Sequence, residues 1–167
     1  LDDKVVLVVD DVQENRFVVV ETLKLLNKNI QTVEAENGLQ VLELIKKSNF
    51  DLVVMDLDMP EMNGFDTAAV LKNDPQTMDI PIIVLSVVQD KARGFRIGID
   101  RYLTKPIDTT LLFTEIGSLL EQGKSKKKVM IVDEDSGAVN TLTSVLTTKG
   151  YEVMEANENE LLEKAVA

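Results

Sequence analysis

Three short stretches of this chain, Val5-Val6-Leu7-Val8-Val9, Leu52-Val53-Val54-Met55 and Ile82-Ile83-Val84-Leu85, are apolar at every position and rich in β-branched residues. A strand with one wet face alternates apolar and polar residues, so uninterrupted runs of this length belong to strands covered on both faces. Between the runs the period becomes helical. Over Glu14 to Asn27 the residues Val19, Val20, Leu23 and Leu26 form one stripe, and Asn37-Gly38 opens a helix carrying Val41, Leu42 and Ile45. Ile30 to Glu34 reads as a short strand, and Phe65 to Leu71 as a helix broken by Asp74-Pro75. Lys91 to Ile97 is a weaker helix, Tyr102-Leu103-Thr104 a fifth strand, and Leu111 to Leu120 a closing amphipathic helix. Five β-α units with short connections predict an α/β fold, a parallel sheet with helices on both faces, complete near Gln122.

Composition narrows the chemistry. Hydrophobic residues make up 44% and aromatics only 4%, so the core is built from Val, Leu and Ile. No cysteine is present, which removes disulfides and thiolate ligands. No histidine is present, which removes Ser-His-Asp triads, His-ligated zinc and phosphohistidine chemistry within these residues. A formal charge of −11 argues against binding nucleic acid phosphates, and no helix with a basic recognition face is legible, so no direct nucleic acid contact is expected. No apolar run reaches membrane-spanning length and no leader pattern opens the chain. The expectation is a cytoplasmic location without membrane contact, in a piece of a longer protein, since the first residue is Leu.

The ends of the strands carry the chemistry. In a parallel α/β sheet, ligands bind just beyond the carboxyl ends of the strands. Strand one runs into Asp10-Asp11, strand three into Asp56, strand four into Ser86 and strand five into Lys105-Pro106. These residues are predicted to meet at one rim. Three carboxylates brought together raise one another's pKa unless a cation neutralises them. A hard, oxygen-preferring ion such as Mg²⁺ meets that need and takes further ligands from phosphate oxygens. Asp56 then suits a nucleophile on phosphorus, with Lys105 and the Ser86 hydroxyl supplying charge and a hydrogen bond to phosphoryl oxygens.

On the motifs VLVVDD, VVMDLDMPEMNG, IIVLS and YLTKP, residues 1–122 resemble the receiver domain of bacterial two-component response regulators (CheY-like). The resemblance implies a flavodoxin-like, doubly wound five-stranded sheet of order 2-1-3-4-5. It implies that Asp56 accepts a phosphoryl group from a sensor histidine kinase or phosphotransfer protein, making this a phosphoprotein of phosphorelay signal transduction. It implies Mg²⁺ held by Asp10, Asp11, Asp56 and the backbone carbonyl of Asp58, and a cis Lys105-Pro106 bond. Ser86 and Tyr102 are then the switch residues, and the surface of the fourth helix, fifth strand and fifth helix the one that binds a partner or forms a homodimer. Two departures stand out. Val87 occupies a position where the family usually has a small residue, and the stretch from Ser86 to Lys105 is a few residues shorter than usual. Val87 is expected to narrow access to Asp56, and Asp58 to influence dephosphorylation.

After Gln122, residues 123–128 read as a small, basic linker. The chain then repeats itself: Lys128-Val129-Met130-Ile131-Val132-Asp133-Glu134 echoes the run from Lys4 to Asp11, and Tyr151 to Asn157 echoes Ile30 to Glu36. Residues 129–167 are therefore expected to be the start of a second receiver-like domain, a tandem receiver whose acidic pair is Asp133 and Glu134. Its phosphoacceptor strand would lie beyond Ala167. The expected activity is self-phosphorylation from a phosphodonor and autodephosphorylation only, not that of a metabolic enzyme. Two other readings share these residues. A pseudo-receiver would mediate contacts without phosphorylation. A haloacid-dehalogenase-like phosphatase would use Asp56-Leu57-Asp58 as nucleophile and general acid.

Overall fold

The apolar runs pair side by side. Strands β1 (Val5–Val9), β2 (Gln31–Ala35), β3 (Leu52–Asp56), β4 (Ile82–Ser86) and β5 (Arg101–Thr104) form one parallel sheet in the order β2-β1-β3-β4-β5. The structure is a computed structural model that describes residues 3–87, 90–123, 128–132, 136–149 and 151–156. Helices α1 (Gln13–Leu26), α2 (Gly38–Lys47), α3 (Gly64–Asn73), α4 (Lys91–Ile97) and α5 (Thr109–Gln122) connect and cover the strands.

Alternation along each strand divides the core in two. Leu7, Val9, Val53, Met55 and Val84 point to one face and pack with Val41, Phe65, Ala68 and Leu71 of α2 and α3. Val6, Val8, Leu52, Val54, Ile83 and Leu85 point to the other and pack with Val19 and Leu23 of α1 and Leu112, Ile116 and Leu119 of α5. Fully burying each such side chain contributes roughly 1.5–3 kcal/mol, which is why β3 and β4 carry no polar residue before their last position. The outer strands β2 and β5 are only part-buried, as their mixed sequences require.

Strands β3 and β4 run one residue further than their apolar runs. Asp56 pairs with Leu85 and Ser86 with Thr104, so both polar residues close the ladder rather than follow it. Side-chain caps start most of the helices: Asn37 Oδ1 accepts from Gln40 N–H at 2.9 Å and Asn63 Oδ1 from Asp66 N–H at 2.9 Å. Asp108 Oδ1 accepts from Thr110 and Leu111 N–H at 3.0 and 3.1 Å. Helix α1 is the exception. Its N-cap is Val12, with no side-chain cap.

Beyond α5, β6 (Lys128–Val132) and β7 (Glu152–Ala156) pair in parallel, joined by α6 (Ser136–Thr148). Lys128 faces Glu152 and Val132 faces Ala156, as Val5 faces Gln31 and Val9 faces Ala35. Asp133, Glu134 and residues 124–127 lie outside the described residues. Among the described residues no helix is long and apolar enough to cross a membrane.

Candidate functional site

Asp10 is the residue after β1, and its N–H donates to Ala35 O at 3.1 Å, carrying the β1–β2 ladder one step further. Asp56 ends β3 beside it. Each is only 5% exposed, a placement carboxylates rarely take without a partner. Carboxylate oxygens of Asp10, Asp11 and Asp56 all lie within 4.8 Å of one another, with Asp11 on the solvent side. From the end of β5, Lys105 Nζ reaches to 3.1 Å from Asp56 Oδ1 and 3.6 Å from Asp10 Oδ2. Its own N–H donates to Ser86 O at 2.8 Å, and the Lys105-Pro106 peptide is cis. Ser86 itself is buried at the end of β4.

Burial pushes the Asp10 carboxyl above the usual carboxylate range, and the Asp56 charge adds to the rise. The Val12 N–H, Lys105 and the Asn15 side chain pull the other way. The Val12 N–H, at the N-cap of α1, donates to Asp10 Oδ1 at 2.9 Å and so ties the site carboxylate to the start of that helix. All donors in the cluster are carboxylate oxygens, with no nitrogen or sulfur. That set fits a hard, oxygen-preferring divalent cation such as Mg²⁺ or Mn²⁺, and not a soft or nitrogen-preferring metal.

The loop after β3 is pinned from both ends. Leu57 N–H donates to Leu85 O at 3.3 Å, and Gly64 N–H returns to Leu57 O at 2.9 Å. A Cβ on Gly64 would lie 2.5 Å from Asp56 O and 2.8 Å from Leu57 Cα, so glycine alone lets α3 start against the acid-bearing strand. Asp58 is exposed, as is Val87 at 70%; Val88 and Gln89 lie outside the described residues.

Tyr102 is half-buried against the α2–α3 core. Its hydroxyl accepts from Asp90 N–H at 3.2 Å, and its ring centroid is 6.3 Å from that of Phe65. A Cβ on Gly94 would meet Tyr102 Cδ2 at 3.0 Å, so α4 and the ring are in contact. The Arg93 guanidinium sits 4.2 Å over the Phe65 ring.

One participant escaped sequence reasoning. Arg16, on α1, is buried: its Nη1 donates to Asp10 O at 2.7 Å and its Nε to Glu34 Oε1 at 2.9 Å. A readable signal existed, because Arg16, Val19 and Leu23 share one helix stripe, and a charge on an apolar stripe has to find a partner.

Comparisons with known proteins agree on one family. The Response regulator receiver domain model matches residues 6–117. Over 118 residues the chain is 35% identical to Protein PilH of Pseudomonas aeruginosa, a stretch that covers 69% of this chain and 96% of PilH. It is 33% identical over 117 residues to Response regulator PleD of Caulobacter vibrioides, covering 68% of this chain but only 25% of PleD. The structure of the chemotaxis response regulator CheY4 of Vibrio cholerae superposes with a TM-score of 0.64 at 27% identity, covering 70% of this chain and 98% of CheY4.

Proposed function

The chain belongs to the response regulator receiver domain family of two-component signalling, and from that membership we propose that Asp56 is its phosphoacceptor and Asp10 and Asp11 its cation-binding acids. The observation that carries this reading is Lys105 Nζ bridging Asp56 and Asp10 beside a three-carboxylate cluster. A carboxylate oxygen of Asp56 attacks phosphorus, forming an O–P bond as the donor's P–N bond breaks. The donor imidazole leaves with the electron pair. Asp10, Asp11, Asp56 and the Asp58 carbonyl would hold Mg²⁺, which when bound would supply positive charge to offset carboxylate–phosphoryl repulsion. Lys105 neutralises a phosphoryl oxygen, and the Ser86 hydroxyl donates to another. These residues contain no histidine, so the phosphohistidine comes from a sensor histidine kinase or phosphotransfer protein. That donor has to dock beside the rim, where Val12, Phe17 and Val18 at the start of α1 expose apolar surface.

Phosphorylation adds roughly −1.5 to −2 charge at Asp56. That charge draws on Lys105 and Ser86, and Tyr102 couples the change to α4, biasing the α4-β5-α5 surface toward a partner or a second copy. The activity is self-phosphorylation and autodephosphorylation in the cytoplasm, not turnover of metabolites. We read β6-α6-β7 as the opening of a second receiver-like domain. Its support is the register, which repeats that of β1-β2 pair for pair. On α6, Leu142 and Val145 are exposed at positions equivalent to Val19 and Thr22, which α1 buries.

Intact-mass spectrometry after incubation with acetyl phosphate and Mg²⁺ tests the phosphoacceptor. One added phosphoryl group, absent without Mg²⁺ and in Asp56→Asn, is the expected result. No adduct, together with no binding of BeF₃⁻, would leave a pseudo-receiver. Sustained turnover of p-nitrophenyl phosphate would favour the phosphatase reading.

A further inference from the structure

We infer that Arg16 is a positioning residue for the divalent-cation site, acting by holding the main chain of Asp10. The inference rests on reading the acid cluster as a cation site. The parallel ladder delivers Asp10 N–H to Ala35 O at 3.1 Å and then stops, because β2 ends at Ala35. The Asp10 carbonyl is left in a buried position past the end of its neighbouring strand. A buried carbonyl without a donor is costly, and Arg16 Nη1 supplies the donor at 2.7 Å.

The guanidinium is held from its other side as well. Nε donates to Glu34 Oε1 at 2.9 Å, and Glu34 stands on β2 directly opposite Val8. A planar fork bound at two edges has little freedom, so the carbonyl it grips has little freedom too. Asp10 N–H, carbonyl and Oδ1 are thus all engaged, while Oδ2 lies 3.6 Å from Lys105 Nζ. Arg16 thus determines where a cation ligand stands without touching the cation site itself.

Position and charge predict opposite signs. A buried positive charge near a cation site opposes cation binding by Coulomb repulsion, so if charge were its main effect, Arg16→Met would bind metal more tightly. If position dominates, the same change lets Asp10 drift and weakens binding. Loss of an outer partner of a metal ligand typically costs about tenfold or more in affinity.

The test is Mn²⁺ binding to the full chain, followed by the electron paramagnetic resonance signal of free Mn²⁺, with a urea unfolding curve for each variant. Wild type is expected to bind, Arg16→Met to bind about tenfold more weakly, and Arg16→Lys to fall between. The lysine variant keeps the charge but cannot grip both partners, so it separates the two readings even if Arg16→Met fails to fold. Unchanged or tighter binding by folded Arg16→Met, or wild-type affinity in Arg16→Lys, would overturn the inference while leaving the cation site standing. Absence of Mn²⁺ binding by wild type would instead overturn the cation site, and this inference with it.

Discussion

Replacing Asp100 with Asn removes the charge that balances a buried lysine at the edge of the sheet opposite the acid cluster. Lys72 Nζ lies 3.2 Å from Asp100 Oδ2, and the two side chains are 7% and 2% exposed. The same Oδ2 accepts from Ile82 N–H at 2.8 Å, so the pair ties α3 and the loop before β5 to the start of β4. Taking one partner from a buried ion pair typically costs about 3–5 kcal/mol. Here the ammonium keeps two carbonyls, Ile80 O at 2.7 Å and Met78 O at 3.1 Å, and the Asn oxygen can still accept from Ile82. Those compensations place the expected cost at the lower end, about 3 kcal/mol, or a fall in Tm of roughly 10–15 °C. Urea unfolding of wild type, Asp100→Asn, Lys72→Met and the double variant measures it. The double variant should lose about 2 kcal/mol less than the sum of the singles, because no charge is then stranded. Mn²⁺ affinity should stay within about twofold of wild type, since the pair is a sheet's length from Asp10 and Asp56. A cost below about 1 kcal/mol for Asp100→Asn, or strict additivity in the cycle, would refute the assignment of this pair as a buried, coupled ion pair.

Three further outcomes follow from the site geometry. Because burial raises the Asp10 pKa in the folded state, the stability its proton contributes is fully present below the ordinary carboxylate value near 3.8 and is lost as pH rises through the folded pKa. Metal-free Asp10→Asn should therefore unfold at higher urea than wild type at pH 7, by a margin that shrinks as pH falls toward the ordinary value, and should lose cation binding at every pH. Gly64→Ala forces its Cβ into Asp56 O and Leu57 Cα, so it should cost about 1–3 kcal/mol and slow acetyl-phosphate labelling, both read on one preparation. Gly94→Ala gains helix propensity of about 1 kcal/mol but presses on the Tyr102 ring. In a Tyr151→Phe background, where Tyr102 is the sole tyrosine, its fluorescence and acrylamide quenching should change while the unfolding midpoint moves little.

Local pattern made much of this protein legible. Short, uninterrupted, β-branched runs alternating with helical stripes point to strands covered on both faces, and the stripes specify which sides those helices bury, so the α/β class and the parallel sheet follow from residue order. The placement of Asp10, Asp56, Ser86 and Lys105 after their runs was legible for the same reason: a strand's direction fixes which end its next residue occupies. Boundaries moved by a residue or two, because a ladder ends where the neighbouring strand ends, as Asp56 and Ser86 show.

What spacing along the chain leaves open is which side chains from distant segments meet. Arg16 under the Asp10 carbonyl, Lys72 against Asp100 and Lys105 between two aspartates are pairs separated by up to 95 positions, and each depends on strand order, register and the depth of one element against another. The clash-free approach of Gly64 to Asp56 is likewise a matter of packing distance. Residue type and periodicity act over one or two turns and so determined the elements and the chemistry available at their ends. Only closing the sheet brought those ends within hydrogen-bonding distance, and there desolvation and charge, both of which depend on three-dimensional neighbours, decided which groups had to pair.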